Sequence, residues 1–125
     1  DRLLSKKNLY INGGNQTRDF IHVKDVAKIV LEAIDVISKN SVCETVNVLT
    51  GKSVSIDALA TKIMETVGFS VQKIYSDLPI GDPLESSGSV SKLKTLFNLT
   101  PSDLITLELG LRMTVEHMIK MDNLA

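Results

Sequence analysis

Residues 13–23 read GGNQTRDFIHV, and they place an arginine and an aspartate where a glycine turn becomes an apolar run. The glycine pair indicates a turn, because glycine readily adopts the left-handed backbone conformations that many turns need. Residues 20–23 are rich in aromatic and β-branched side chains, which predicts a strand. A cation at this junction has two explanations, an ion pair that pins the turn or a contact for an anionic ligand.

The alternation of side chains along a strand bears on that choice. Arg18 and Asp19 would point to opposite faces, so they do not readily pair with each other. The planar fork of a guanidinium suits a phosphate or a carboxylate. Structural arginines are nevertheless common at such turns, and the residues alone leave both explanations for Arg18 open.

Strand-like and helix-like segments alternate along the rest of the chain. Strands are predicted at residues 9–12, 20–23, 45–49 and 71–75, and helices at residues 25–39, 56–67, about 90–97 and from about 102 onward. Asp25, Ser55 and Ser89 are the predicted N-caps, and Gly68 is the predicted left-handed stop. Residues 45–49 (TVNVL) are rich in β-branched side chains and mostly apolar, which predicts a strand covered on both faces. This order predicts an α/β fold with at least one parallel strand pair, in a single domain over residues 1–125.

Composition excludes several classes of function. A formal net charge of −1 gives no reason to expect a nucleic acid or an anionic membrane as partner. The single cysteine, Cys43, excludes an internal disulfide and suits a reducing, cytoplasmic setting. No apolar run reaches the length of a membrane span.

Because the chain begins at Asp1, partway through a helix-like pattern, we expect it to be a piece of a longer protein.

Two familiar kinds of site are weakly supported. Residues 50–53 (TGKS) match the end of the phosphate-binding P-loop, but its first glycine position is occupied by Val46, so the amide cradle cannot form. We therefore interpret these residues as a tight turn between a strand and a helix. The only histidines, His22 and His117, lie far apart without carboxylate pairs at ligand spacing, so we predict no metal site and structural roles for both.

Four segments in order resemble a known family. They are LYINGGNQTRDFIHVKDVAKIVLEAI, TVNVLTGKSVSIDALATKI, GDPLESSGSVSKLKTLFNLTP and LELGLRMTVEHM. Together they resemble the extended short-chain dehydrogenases/reductases that act on nucleotide sugars, the NAD-dependent epimerase/dehydratase family. That family includes UDP-glucose 4-epimerase-like and dTDP-glucose 4,6-dehydratase-like enzymes.

The resemblance implies a fold and a set of ligand contacts. The fold would be the small C-terminal substrate domain of such an enzyme, with few short strands and about four helices, without the Rossmann half. Arg18 would contact the diphosphate of the nucleotide sugar, and a loop over residues 79–82 would close over the nucleotide. The backbone and side chains of Tyr10, Ile11 and Asn12 would border the nucleobase. The substrate-binding residues implied in this way are therefore Arg18, Tyr10, Ile11, Asn12 and Asp82. Many members carry an arginine just before the Gly-Asp pair, where this chain has Pro79 and Ile80.

Two motifs of the family do not occur in this sequence. There is no GxxGxxG dinucleotide fingerprint and no Tyr-x-x-x-Lys pair for proton transfer. We therefore expect NAD to bind the full-length parent only, and this chain alone to have no catalytic residues and no activity. The expected partner is a UDP-, dTDP-, CDP- or GDP-linked sugar, with a possible homodimer in the full-length form. The alternative is a non-catalytic nucleotide-binding or partner-binding module derived from the same family.

Overall fold

Short strands and amphipathic helices alternate along the chain, which a computed structural model describes for residues 2–39 and 43–122. The described elements are β1 (Leu9–Asn12), β2 (Thr17–Asp19), α1 (Val23–Lys39), β3 (Ser53–Ser55), α2 (Ile56–Val67), β4 (Lys73–Ser76), α3 (Ser91–Phe97), a 3-10 turn (Pro101–Asp103) and α4 (Leu107–Asp122). The α/β class with few short strands and four helices in these residues is confirmed. Each of these helices is too short or too polar to cross a membrane.

The described chain forms two compact units. The first comprises residues 2–18, 54–86 and 108–122, and the second comprises residues 19–39, 43–53 and 87–107. Strands β1 and β4 form one two-stranded sheet, and β2 and β3 form the other.

The first unit is organised by the parallel pairing of β1 with β4, which confirms the predicted parallel contact. Leu9 lies opposite Lys73, and Asn12 lies opposite Ser76. Successive β1 side chains point to opposite faces. Ile11 is accordingly 5% exposed, whereas its neighbour Tyr10 is 63% exposed.

Helix α2 of the same unit has the predicted start and stop. The Ser55 hydroxyl accepts a hydrogen bond from the amide of Ala58 at 3.1 Å, which satisfies one of the free donors of the first turn. Gly68 follows the last turn with φ of 80°, and its amide donates to the carbonyls of Met64 and Glu65. Both signals are local, which explains why the pattern predicts this helix correctly.

The core of the second unit lies between α1 and the chain around α3. Its buried members are Ile29, Leu93, Leu99 and Leu104. Asp25 is also buried, and its carboxylate accepts a hydrogen bond from the amide of Ile105 at 2.9 Å.

The predicted N-cap of α1 is wrong. The helix begins at Val23 instead of Asp25, because the carbonyl of His22 already accepts from the amides of Asp25 and Val26. Nδ1 of the His22 ring accepts a hydrogen bond from the amide of Lys24 at 3.2 Å. The imidazole therefore satisfies a first-turn donor, which is consistent with the structural role predicted for His22. The predicted end of this helix at residues 40–41 lies outside the described residues.

Two predicted strands differ from the structure. Residues 20–23 are not a strand, since β2 covers only Thr17–Asp19 and pairs with the three-residue strand β3. Residues 45–49 are also not a strand: within the described ranges no strand pairs with them, and only Val46 and Leu49 are half-buried. Apolar, β-branched composition favours a strand, but a strand also needs a neighbour for its backbone groups. The prediction at residues 71–75 is shifted, because β4 covers Lys73–Ser76.

The starts of the last two helices also differ from prediction. The residue that caps α3 is Val90, although the hydroxyl of Ser89 still accepts from the amide of Ser91 at 3.3 Å. Residue 102 lies in the 3-10 turn, which a reciprocal capping box between Thr100 and Asp103 stabilises, and α4 begins only at Leu107.

Replacing the cap of α2 provides a test of this local argument. We expect Ser55→Ala to lower the free energy of unfolding by about 1 kcal/mol, because one first-turn amide loses its acceptor. Ser55→Asp keeps an acceptor at the helix N-terminus and should retain most of the stability. Urea-induced unfolding measures both, and equal losses in the two variants would contradict the capping role.

Candidate functional site

The predicted ligand-binding residues lie on two chain segments of the first unit, residues 9–18 and 73–86, which we call the site frame. Beyond the β1–β4 pair, the amide of Gly13 donates to the carbonyl of Ser76 at 2.8 Å. Further along, the amide of Thr17 donates to Leu84 at 2.9 Å, and Thr17 lies opposite Glu85 in a parallel bridge. The two segments are therefore hydrogen-bonded to each other on both sides of the loop that connects Ser76 to Leu84.

A buried glutamine fixes the glycine turn of the frame. Gln16 accepts the amide of Gly14 on Oε1 and donates from Nε2 to the carbonyl of Asn12, each at 2.6 Å. Gly14 has φ of 119°, and a Cβ there would lie 3.3 Å from the ring of Tyr75. The turn thus needs both a glycine and the glutamine. Gln16 was not predicted from the sequence, because a glutamine in a loop carries no distinctive pattern.

Arg18 pairs with Asp82 across the frame. The guanidinium Nη2 lies 2.7 Å from Oδ1 of Asp82, and Nη1 donates to the carbonyl of Thr17 at 2.8 Å. The Arg18 side chain is 23% exposed and that of Asp82 is 38% exposed. Arg18 and Asp19 take different partners, as strand alternation predicts. The arginine therefore presents a partly desolvated cation that already holds one carboxylate.

A tight turn places Asp82 opposite the arginine. The amide of Asp82 donates to the carbonyl of Pro79 at 3.1 Å, and Gly81 has φ of 88°. A positive φ at the third position of a four-residue turn is the requirement of a type II turn, which favours glycine there. Ile80, at the tip of the turn, is fully exposed.

The three β1 residues expected to border a nucleobase differ in what they present. Tyr10 is exposed, and the guanidinium of Arg2 lies 4.7 Å from the centre of its ring. Asn12 is also exposed, and its Oδ1 accepts a hydrogen bond from the hydroxyl of Ser76 at 2.7 Å. The side chain of Ile11 is buried, so a ligand could reach this residue only through its backbone. Tyr10 and Asn12 share one face of the strand.

A second carboxylate supports the frame from α2. Asp57 accepts Lys73 Nζ at 2.8 Å on Oδ1, accepts the hydroxyl of Tyr75 on the same atom, and donates its amide to the carbonyl of Gly14 at 2.9 Å. The hydrogen bond from Lys73, with that from Tyr75, lowers the pKa of Asp57. The same contact with the carboxylate raises the pKa of the Tyr75 hydroxyl. An ionised Asp57 therefore joins α2, β4 and the glycine turn.

The P-loop-like sequence of the second unit binds an internal anion. The backbone amides of Thr50, Gly51 and Lys52 donate to the carboxylate of Asp19 at 2.8, 2.7 and 3.1 Å. The hydroxyl of Thr50 adds a further bond at 2.8 Å. These residues do form a tight turn, but it leads into β3 and does not follow a strand. Asp19 occupies the amides that a phosphate would need.

The glycine turns do not fit the pyrophosphate of a dinucleotide. Such a group is bound by free amides at the start of a helix. Here the amides of Gly13, Gly14 and Gly51 donate to Ser76, to Gln16 and to Asp19, respectively. These glycines therefore leave NAD no amide cradle. Within residues 2–39 and 43–122, no group of three His, Cys, Asp or Glu residues could hold a metal ion.

Comparisons with known proteins agree on one family. The model of the NAD dependent epimerase/dehydratase family matches residues 1–48. A curated protein of Methanocaldococcus jannaschii, provisionally named as a UDP-glucose 4-epimerase, is 37% identical over 97 residues, which are 77% of this chain and 30% of that protein.

Two solved structures are similar over nearly the whole chain. UDP-glucose 4-epimerase of Thermotoga maritima, solved with UDP-glucose, matches with a TM-score of 0.85 at 28% identity. This match covers 96% of the present chain and 37% of the Thermotoga protein. UDP-glucuronic acid 4-epimerase of Bacillus cereus, solved with UDP-glucuronic acid and NAD, matches with a TM-score of 0.84 at 26% identity. This match covers 96% of the present chain and 38% of the Bacillus protein. The chain thus spans between 30% and 38% of the length of these proteins.

The Asp19 contacts give a stability test. We expect Asp19→Asn to lower the free energy of unfolding by about 1.5–3 kcal/mol, because the amide group carries no charge and offers one acceptor oxygen to several donors. Asp35→Asn is the matched control, since Asp35 forms an exposed pair with Lys39 in α1 and should matter little. Equal losses in urea-induced unfolding would contradict the role of Asp19.

The lowered pKa of Asp57 gives a pH test. Its folded-state pKa lies below the unfolded one, so its stabilisation is present above about pH 4 and is lost as pH falls further. Asp57→Asn should therefore shrink the stability difference between pH 7 and pH 3. Tyr75→Phe should shrink this stability difference less, because the hydrogen bond from Lys73, which lowers the pKa of Asp57 most, remains in that variant. An unchanged difference in unfolding free energy between pH 7 and pH 3 in Asp57→Asn would refute the role of the Asp57 carboxylate.

Proposed function

Because the chain belongs to the NAD-dependent epimerase/dehydratase family, we propose that it binds the nucleotide diphosphate of a nucleotide sugar, with Arg18 as the main cationic contact. The observation that carries the proposal is the partly buried guanidinium of Arg18, which holds an anion at 2.7 Å. A guanidinium in this setting forms short, charge-assisted hydrogen bonds with phosphate oxygens as readily as with a carboxylate.

The backbone around Arg18 supports a binding role. Thr17 is tied to Leu84 on one side, and Arg18 donates to the carbonyl of Thr17 itself. The guanidinium is therefore held in one orientation before a ligand arrives, which reduces the entropy lost on binding. Asp82 and the turn over residues 79–82 would contact the same ligand.

The nucleobase would lie along β1. Tyr10 offers an exposed aromatic ring and Asn12 an exposed amide on one face of the strand, while Ile11 would contribute only backbone groups. The two solved relatives carry UDP-linked ligands, so UDP is the first nucleotide to test, with dTDP, CDP and GDP as comparisons. The single exposed cysteine is consistent with a cytoplasmic setting, which is part of the proposal.

The contribution of this chain to a reaction would be orientation. Holding the diphosphate fixes where the attached sugar lies, and such positioning converts binding energy into rate. NAD would supply the oxidation of a sugar hydroxyl, but the glycine turns described above do not fit it, and we assign it no contact here. Tyr10 and Tyr75 are followed four residues later by Gly14 and Pro79 instead of lysine, so we assign this chain no proton transfer.

Removal of the cation tests the proposal. In the complete gene product, Arg18→Ala should weaken the binding of UDP or a UDP-sugar by about 10- to 150-fold, the loss expected for hydrogen bonds to a charged group. Arg18→Lys keeps the charge without the fork and should lose less. Calorimetric titration measures both variants.

Arg112→Ala is the matched control, because it removes an exposed arginine of α4 from the same unit. It should leave the affinity unchanged. Unaltered UDP affinity in Arg18→Ala would overturn the proposed contact. Failure of the unmodified protein to bind any nucleotide diphosphate would favour the partner-binding alternative.

A further inference from the structure

The guanidinium of Arg2 lies over the ring of Tyr10, on the strand that the nucleobase would follow. We propose, resting on the proposed function, that Arg2 is a further nucleotide contact, on whose guanidinium the nucleobase stacks. The base, Arg2 and Tyr10 then form three successive layers. In this arrangement Arg2 holds the base end of the ligand, while Arg18 holds the diphosphate.

The side chain of Arg2 is held in place by two contacts to the segment that forms β1. Its Cζ atom lies 4.7 Å from the centre of the Tyr10 ring, within the range of a cation–π interaction. Its Nε atom donates a hydrogen bond to the carbonyl of Asn8 at 2.8 Å. Asn8 directly precedes β1, and Tyr10 is the second residue of that strand. The guanidinium is therefore oriented before a ligand arrives, which reduces the entropy lost on binding.

The terminal nitrogens of Arg2 remain available to a ligand. In Arg18, by contrast, Nη1 donates to the carbonyl of Thr17 and Nη2 donates to Asp82. Within residues 2–39 and 43–122, neither Nη1 nor Nη2 of Arg2 has a hydrogen-bond or ion-pair partner. These two atoms carry four of the five N–H groups of the guanidinium. Arg2 can therefore donate to oxygen atoms of a base without losing a contact within the fold.

The planar shape of the guanidinium suits a nucleobase at this place. Arginine planes stack on bases in the way that aromatic side chains do. Because Arg2 lies over one side of the Tyr10 ring, a base that approaches from that side meets the guanidinium before the ring. Asn12 lies on the same face of β1 and offers its exposed amide to the edge of the same base. A base placed here thus finds a flat cationic surface and polar groups beside it.

Truncation of Arg2 in the complete gene product tests this contact. Arg2→Ala should weaken the binding of UDP by about five- to tenfold, the lower part of the range for stacking with a base, because Arg2 is exposed. Arg2→Lys keeps the charge but has no plane, so it should remain about threefold weaker than the unmodified protein. Inorganic pyrophosphate has no base and should bind the unmodified protein and both variants equally. Calorimetric titration measures the UDP affinities, and competition with UDP measures those of pyrophosphate.

Lys7→Ala is the matched control, because it removes an exposed cation from the same segment before β1 and should leave UDP affinity unchanged. An equal loss in Lys7→Ala, or full affinity in Arg2→Lys, would reduce Arg2 to a point charge and overturn the stacked contact. An equal loss of pyrophosphate affinity in Arg2→Ala would overturn it as well, because Arg2 would then bind the diphosphate.

Failure of this inference can be told apart from failure of the proposed function. Unaltered UDP affinity in Arg2→Ala, together with a large loss in Arg18→Ala, removes the inference about Arg2 and leaves the diphosphate contact standing. Failure of the unmodified protein to bind both UDP and pyrophosphate removes the proposed function, and the inference with it.

Discussion

The backbone ties between residues 9–18 and 73–86 are the constraint on which the first unit depends. The parallel pairing of β1 with β4 sets the register, and the hydrogen bonds at Gly13 and Thr17 extend it past the ends of the strands. Parallel strands need a long connection, and here it contains α2. The register brings residue 82 to residue 18. Without it, the arginine would have no carboxylate partner and the turn over residues 79–82 would have no place beside it.

Aspartates act as internal anions throughout the chain. Asp19 satisfies the amides of a loop, Asp57 joins a helix to a strand, and Asp25 accepts an amide from a distant segment. In each case the carboxylate accepts hydrogen bonds from backbone amides or from a lysine ammonium and so satisfies these donors within the fold. Asp82 differs from the other three because its donor is a guanidinium that also suits a phosphate. That difference makes Arg18 the candidate contact for a phosphate.

The residues that the sequence analysis missed share a physical property. Gln16 fixes its turn through contacts set by the folded loop, and Asp19 receives donors from residues more than 30 positions away. No periodicity or local motif encodes either contact. The anion at the TGKS sequence was not predictable for the same reason, because the amides of this turn bind the Asp19 side chain of the same chain. Strand prediction at residues 45–49 is wrong because composition reports a preference for extended backbone and carries no information about a neighbouring strand.

Sequence by itself determined the order of the four helices, the position of β1 and both ends of α2. The ends of α2 are predictable because a cap and a left-handed glycine act within three or four residues. Resemblance of ordered motifs in the sequence also pointed to the family, to Arg18 and to the loop that carries Asp82. Tertiary structure alone decided which anion Arg18 holds and that Asp25 is a buried acceptor instead of a cap. These features depend on contacts between residues 64 or 80 positions apart. Such contacts exist only after the chain has closed its loops, so no local pattern can specify them.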